Sequence, residues 1–111
     1  MQRQSDIFNT SLVFDNGELI GHHDKLHPFD ITLPGSEHKE SQYVKPGNKV
    51  TVLSTRFGNL GIGICYDIRF ASYAMAMRKM SADIIIYPSV FTMKTGELHF
   101  HKSGQARAID T

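Results

Sequence analysis

The chain has 111 residues, 12 Lys+Arg against 11 Asp+Glu, and 41% hydrophobic residues, which describes one domain at the small end of the usual range. A formal net charge of +1 without a basic cluster offers no grip to a phosphate backbone or an anionic bilayer, so neither nucleic acid nor membrane is expected as a partner. No apolar run approaches the roughly 20 residues of a bilayer span, the amino terminus lacks a signal-type apolar stretch, and a lone Cys65 has no intramolecular disulfide partner. These features point to a reducing, cytoplasmic setting, with the mitochondrion as the alternative for a full-length protein.

Residues 11–14 and 18–22 are apolar runs flanking Asp15-Asn16-Gly17, a pattern that predicts a hairpin over residues 9–22. Residues 23–48 lose periodicity and collect Pro28, Pro34, Gly35, Pro46 and Gly47, so a long irregular active-site loop is expected there. Val50 and Val52 alternate with polar neighbours, and a turn at Phe57-Gly58-Asn59 leads into a second apolar run, giving a second hairpin over residues 49–65. On its outgoing strand Leu60, Ile62 and Ile64 share one face, while Gly61, Gly63 and Cys65 share the other. Two glycines on one face leave room for another backbone.

Phe70, Tyr73, Ala74, Met77 and Met80 follow helical spacing, which predicts a helix over residues 71–81 with Arg78 and Lys79 at its carboxyl end. Residues 83–87 contain Ile84-Ile85-Ile86-Tyr87, a continuous apolar run that reads as a strand buried on both faces and stopped by Pro88. Strand, helix and strand form a parallel crossover unit. Residues 89–96 are expected as loop and residues 97–109 as a second helix, weakened by Gly104. Phe14, Phe29, Phe57, Phe70, Met75, Met77 and Met80 are assigned to the core.

Cys65 lies at the carboxyl end of a strand just before a helix, the edge at which open α/β sheets bind ligands. A helix amino terminus there would favour thiolate, and free backbone N–H groups could hold an oxyanion. The same residue also reads as a small buried hydrophobe. Lys25 would lower the pKa of a neighbouring thiol and stabilise an oxyanion, with Glu40 to hold it in place, yet both also read as solvated charges of a polar loop. His22, His23, His27, His99 and His101 show no ligand spacing, so no metal is expected.

Taken in order, residues 8–15, 25–31, Glu40-Ser41, residues 61–70 (Gly-Ile-Gly-Ile-Cys-Tyr-Asp-Ile-Arg-Phe), Tyr87-Pro88-Ser89 and residues 95–100 resemble the nitrilase superfamily of carbon–nitrogen hydrolases, most of all its omega-amidase branch. The resemblance implies an α/β fold, a partial α-β-β-α sandwich truncated at both ends. It further implies hydrolysis of small non-peptide amides through a cysteine thioester with release of ammonia, without cofactor or metal, in a homo-oligomer that is commonly a dimer. By the same resemblance Cys65 is the nucleophile and Lys25 stabilises the tetrahedral intermediate. Glu40 supports the lysine, the Tyr66 backbone N–H completes the oxyanion hole, and Arg69 and Thr95 contact the substrate. The family's general-base glutamate lies upstream of the first hairpin, so the chain is expected to be inactive by itself. The alternative expectation is a catalytically inactive nitrilase-like module that serves as a binding or assembly partner.

Overall fold

The computed structural model describes residues 1–3 and 5–111. A short antiparallel pair, β1 (Gln2–Arg3) and β2 (Asp6–Ile7), precedes the first long hairpin of β3 (Thr10–Asp15) and β4 (Glu18–Asp24). Asn16 and Gly17 both take positive φ, 53° and 82°, the type I′ pattern whose twist suits two antiparallel strands. The register slips between Val13 and Phe14, leaving Ile20 as a bulge.

Residues 23–48 are more ordered than the expected irregular loop. They contain a hairpin of β5 (Asp30–Leu33) and β6 (Ser36–Lys39), followed by a 3-10 turn at Glu40–Gln42. Pro34 followed by Gly35 at φ 77° supplies the residue types of a type II turn. The strands escaped the sequence reading because residues 32–38 are all exposed. Without a buried face nothing imposes apolar alternation. Projecting hairpins also account for a radius of gyration of 14.8 Å, against about 13 Å for a compact chain of this length.

The central sheet has the order β7-β8-β9, from β7 (Thr51–Thr55), β8 (Gly58–Ile62) and β9 (Ile84–Ile86). The first pair is antiparallel and the second parallel, with α1 (Ala71–Lys79) crossing between β8 and β9 as the crossover unit requires. The turn falls at Arg56-Phe57, one residue earlier than expected, and Gly58 opens β8. β8 ends at Ile62, so Cys65 lies beyond the strand and opens a 3-10 segment, Cys65–Arg69, rather than the amino terminus of α1. β9 was expected to be buried on both faces, yet Ile84 is 46% and Ile86 36% exposed. No strand among the described residues pairs with its other side, and an apolar run cannot reveal how many neighbours its strand has.

The core forms where α1 lies on the sheet. Tyr73, Ala74 and Met77 are buried on the helix, Ile62, Ile64, Ile68 and Ala82 around it, with Leu26, Val52 and Ile85 packed alongside. α1 stops at Lys79 instead of Ser81 because a Schellman motif closes it: Ser81 takes φ 65°, its N–H donates to Arg78 O at 2.9 Å, and Ala82 N–H donates to Met77 O at 3.1 Å. The accompanying apolar contact joins Ala82 to Met77 in the core. Several residues assigned to the core lie outside it. Phe14 sits on the open face of the β3–β4 hairpin at 60% exposure, Phe57 in a turn under the Arg56 guanidinium, Met75 on the outer side of α1 and Met80 exposed just past its end.

Gly61 in β8 and Gly63 just beyond it admit side chains rather than a neighbouring backbone. A Cβ at Gly61 would meet Met77 Sδ and Ala82 Cβ, and one at Gly63 would strike the Tyr87 ring and crowd Asp67 Cβ. The last helix starts earlier than expected, as α2 (Met93–Thr95) capped by the Thr92 hydroxyl, and runs through a π turn at Gly96–Phe100 into α3 (His101–Asp110). Among the described residues no helix is long and apolar enough to cross a membrane. Gly63→Ala is expected to destabilise the fold by about 1–3 kcal/mol through overpacking. Gly104→Ala, with nothing within 4 Å of the added methyl, should stabilise it by about 1 kcal/mol through helix propensity; urea denaturation of the two variants checks both signs.

Candidate active site

A chain that leaves β8 at Ile62 must turn before α1 can start, and Asp67 organises that turn. Its Oδ2 accepts the Ile64 N–H at 2.9 Å, the acidic half of a capping box. The carboxylate is fully buried and takes its remaining donors from the end of β4 and the segment that follows it. His27 donates its backbone N–H at 3.0 Å and lies with Nδ1 2.7 Å from Oδ1, while His23 Nε2 lies 3.3 Å from Oδ2. His23 Nδ1 in turn meets the Thr51 hydroxyl at 3.0 Å, so a single tautomer with hydrogen on Nε2 satisfies both ring nitrogens. Tyr73 closes the network by donating its hydroxyl to Ile62 O. Burial alone would raise the Asp67 pKa, but the bonds from His23, the Ile64 N–H and His27 outweigh it and hold the carboxyl below its usual value.

Lys25 stands between those two histidines and is itself buried, at 5% exposure. Its backbone is fixed by Lys25 N–H to Asn9 O and Gly47 N–H to Lys25 O, both 2.8 Å, and its ammonium donates to Glu40 Oε2 at 2.6 Å. Glu40 also accepts from the Phe29 N–H at 2.7 Å and from Asn9 Nδ2 at 3.0 Å. Burial works against ionisation of Glu40, yet the bonds from Lys25, Phe29 and Asn9 prevail and its pKa is lowered. The expected pairing of Lys25 with Glu40 is therefore present, and Asn9 is an additional partner that the sequence reading did not name.

Cys65 is half-buried and takes φ 46°, a left-handed conformation that a non-glycine residue adopts only when its surroundings compel it. The compulsion comes from both sides. Its N–H donates to Pro88 O at 2.9 Å, which ties the turn to the segment after β9, and the Asp67 carboxylate closes back onto the Ile64 N–H just before it. Sγ lies 3.8 Å from Val90 O. The Tyr66 N–H falls in the first turn of the 3-10 segment, where helical geometry provides no acceptor. The Tyr66 ring meets Phe29 edge-on with centroids 5.1 Å apart, and His27 stacks on Phe70 at 3.6 Å, so aromatic contacts reinforce the Asp67 link between the lysine and cysteine segments.

The remaining residues singled out from sequence lie further along the 3-10 segment and the last helix. Arg69 is exposed at a shallow groove shared with Leu98, His99, Lys102 and Arg107. Thr95 is exposed and meets the Thr92 hydroxyl at the start of α2. His99 and His101 are exposed on the last helix, apart from the Asp67 bonds of His23 and His27. Asp67, His23, Thr51 and Tyr73 were missed as site-building residues. The available signal was positional: an acid two residues after the cysteine, and histidines two residues on either side of the lysine.

The carbon–nitrogen hydrolase family model matches residues 2–111. The chain is 44% identical over 106 residues to the omega-amidase NIT3 of Saccharomyces cerevisiae, covering 94% of this chain and 36% of that protein. It is 41% identical over 106 residues to the omega-amidase NIT2 of Xenopus tropicalis, covering 94% and 38%. Among solved structures it is similar to S. cerevisiae Nit3, a member of branch 10 of the nitrilase superfamily, with a TM-score of 0.79 and 41% identity over 94% of this chain and 35% of that one. It is also similar to the C. elegans NitFhit protein, with a TM-score of 0.83 and 37% identity over 93% and 26%. The chain thus spans about a third of the length of the curated relatives it matches, and its α/β fold matches the corresponding part of these structures.

Both site carboxylates are held ionised, and this gives stability a sign with pH. With folded values below the ordinary 3.8 of Asp67 and 4.5 of Glu40, their contribution is complete above those values and is lost as pH falls below them. An acid transition beginning below about pH 4 is therefore expected by circular dichroism. Asp67→Ala, which strands several buried donors, should cost about 3–5 kcal/mol in denaturant unfolding.

Proposed function

The chain belongs to the carbon–nitrogen hydrolase family, and we propose that it carries the nucleophile-bearing part of an omega-amidase-like enzyme acting on small non-peptide amides. The observation that carries this reading is the buried Lys25, bonded to Glu40 at 2.6 Å on a segment fastened through Asp67 to the turn of Cys65. In the proposed reaction the Cys65 thiolate attacks the amide carbon, a C–S bond forms, and the carbonyl electron pair moves onto oxygen. Lys25 and the Tyr66 N–H stabilise that oxyanion, with Arg69 and Thr95 as substrate contacts. Collapse breaks the C–N bond and ammonia departs with an added proton. Water then attacks the thioester, the C–S bond breaks, and a carboxylate leaves with the thiol restored.

Two steps need a base, one for the thiol proton and one for water. A cationic lysine can stabilise an oxyanion but cannot accept a proton. Glu40 spends its lone pairs on Lys25, Phe29 and Asn9, and Asp67 on its own donors, so both are weak bases. The 111-residue chain is accordingly proposed not to turn over amides, even where Cys65 can be acylated. A reducing compartment such as the cytoplasm suits a thiol nucleophile. Self-association belongs to the same reading, because the open side of β9 presents unpaired backbone beside exposed Ile84 and Ile86.

Lys25→Met is expected to slow alkylation of Cys65 by iodoacetamide at pH 7 about tenfold; equal rates would overturn the reading. Ammonia release from short omega-amides such as alpha-ketoglutaramate should be absent with the chain alone and present with a longer polypeptide that contains it, then lost on Cys65→Ser. Inactivity of the longer polypeptide would favour a binding or assembly module instead. Light scattering should report more than one chain per particle, and a monodisperse monomer would count against self-association.

A further inference from the structure

Nothing in the proposed chemistry uses Asp67 or His27, yet their bond is the most direct tie between the two reacting segments. Asp67 follows Cys65 by two residues and also binds the amide of Ile64, one residue before it. Its other donors come from His23 and His27, which stand two residues before and two after Lys25. One carboxylate therefore grips the cysteine turn and brackets the lysine. We propose that Asp67 and His27 form a positioning pair that sets Lys25 against Cys65, so that thiol reactivity depends on their bond although neither residue touches the reacting atoms. The inference rests on the nucleophile and lysine roles proposed above.

The chemistry of the donor set explains why the residue is an aspartate. Ile64 N–H, His27 N–H, His27 Nδ1 and His23 Nε2 all face the carboxylate, and an ionised carboxylate can accept four bonds while bringing no hydrogen of its own. An amide at this position would turn an NH₂ group toward donors. The charged and titratable groups that face the pair are His23, Tyr73 and Tyr87, both tyrosines with pKa pushed up by burial and by the Asp67 charge. His27 is the testable half. Its side chain is 29% exposed, whereas Asp67 is fully buried and its replacement threatens folding.

The ring of His27 has two separable uses, the bond to Asp67 and the stack on Phe70. His27→Phe keeps a ring for the stack and removes the donor. His27→Asn keeps a donor near the Nδ1 position and removes the stack. In the 111-residue chain, His27→Phe is expected to slow iodoacetamide alkylation of Cys65 about fivefold at pH 7, and His27→Asn to restore most of the rate. In a Lys25→Met background the same His27→Phe change should alter the rate less than about twofold, because the lysine it positions is gone. An equal slowing in both backgrounds would signify general loosening and overturn the inference, as would His27→Asn being as slow as His27→Phe. If Lys25→Met slows the reaction but His27→Phe leaves it at the wild-type rate, the positioning pair alone is overturned. If Lys25→Met has no effect by itself, the underlying reading of the site falls, and the inference with it.

Discussion

A carboxylate can stay ionised inside a protein only when donors replace the water it has lost, and Asp67 collects its donors from its own turn and from His27, 40 residues earlier, and its neighbour His23. That constraint reaches outward through the fold. It fixes the first residues after β8, compels the left-handed backbone at Cys65 together with Pro88, and draws the segment beyond β4 onto the end of the central sheet. His23 then links to Thr51 at the start of β7, and Tyr73 brings α1 into the same network. Strand, turn, helix and lysine segment thus meet at one buried charge.

The apolar core and this polar network are adjacent layers that require each other. Gly61 lets Met77 and Ala82 lie directly on β8, and Gly63 lets the Tyr87 ring lie against the residues just beyond it, which lowers α1 close enough for Tyr73 to reach Ile62 O. The Tyr87 hydroxyl is buried without a partner among the described residues, and burial pushes its pKa up to about 12. The core is small, and much apolar surface stays outside it on the β3–β4 hairpin and along β9.

At the candidate site the two carboxylates have matching assignments. Each is saturated with donors and held ionised, Glu40 to anchor a cation and Asp67 to anchor a turn. Neither is left free to shuttle protons. The division separates rigid support from chemistry, and the proposed reading leaves the substrate to the thiol, the lysine ammonium and the amides of the cysteine turn.

The elements legible in the sequence were those whose signals are local. Asn16-Gly17 announced its hairpin because φ is positive at both residues, and the helical spacing of Tyr73, Ala74 and Met77 marked α1 because that face is buried. Strand, helix and strand order was enough for the parallel pairing of β8 and β9. The family resemblance named Cys65, Lys25 and Glu40, and the folded chain brings Lys25 and Glu40 within hydrogen-bond reach. Tertiary structure alone decided the rest. The β5–β6 hairpin has no buried face to leave a pattern, the apolar β9 became an edge, and Phe14 and Phe57 were left exposed. Above all, nothing local in the sequence shows that His23, His27 and Ile64 converge on Asp67, because a buried charge selects its partners through space, and only the folded chain brings them within hydrogen-bond reach.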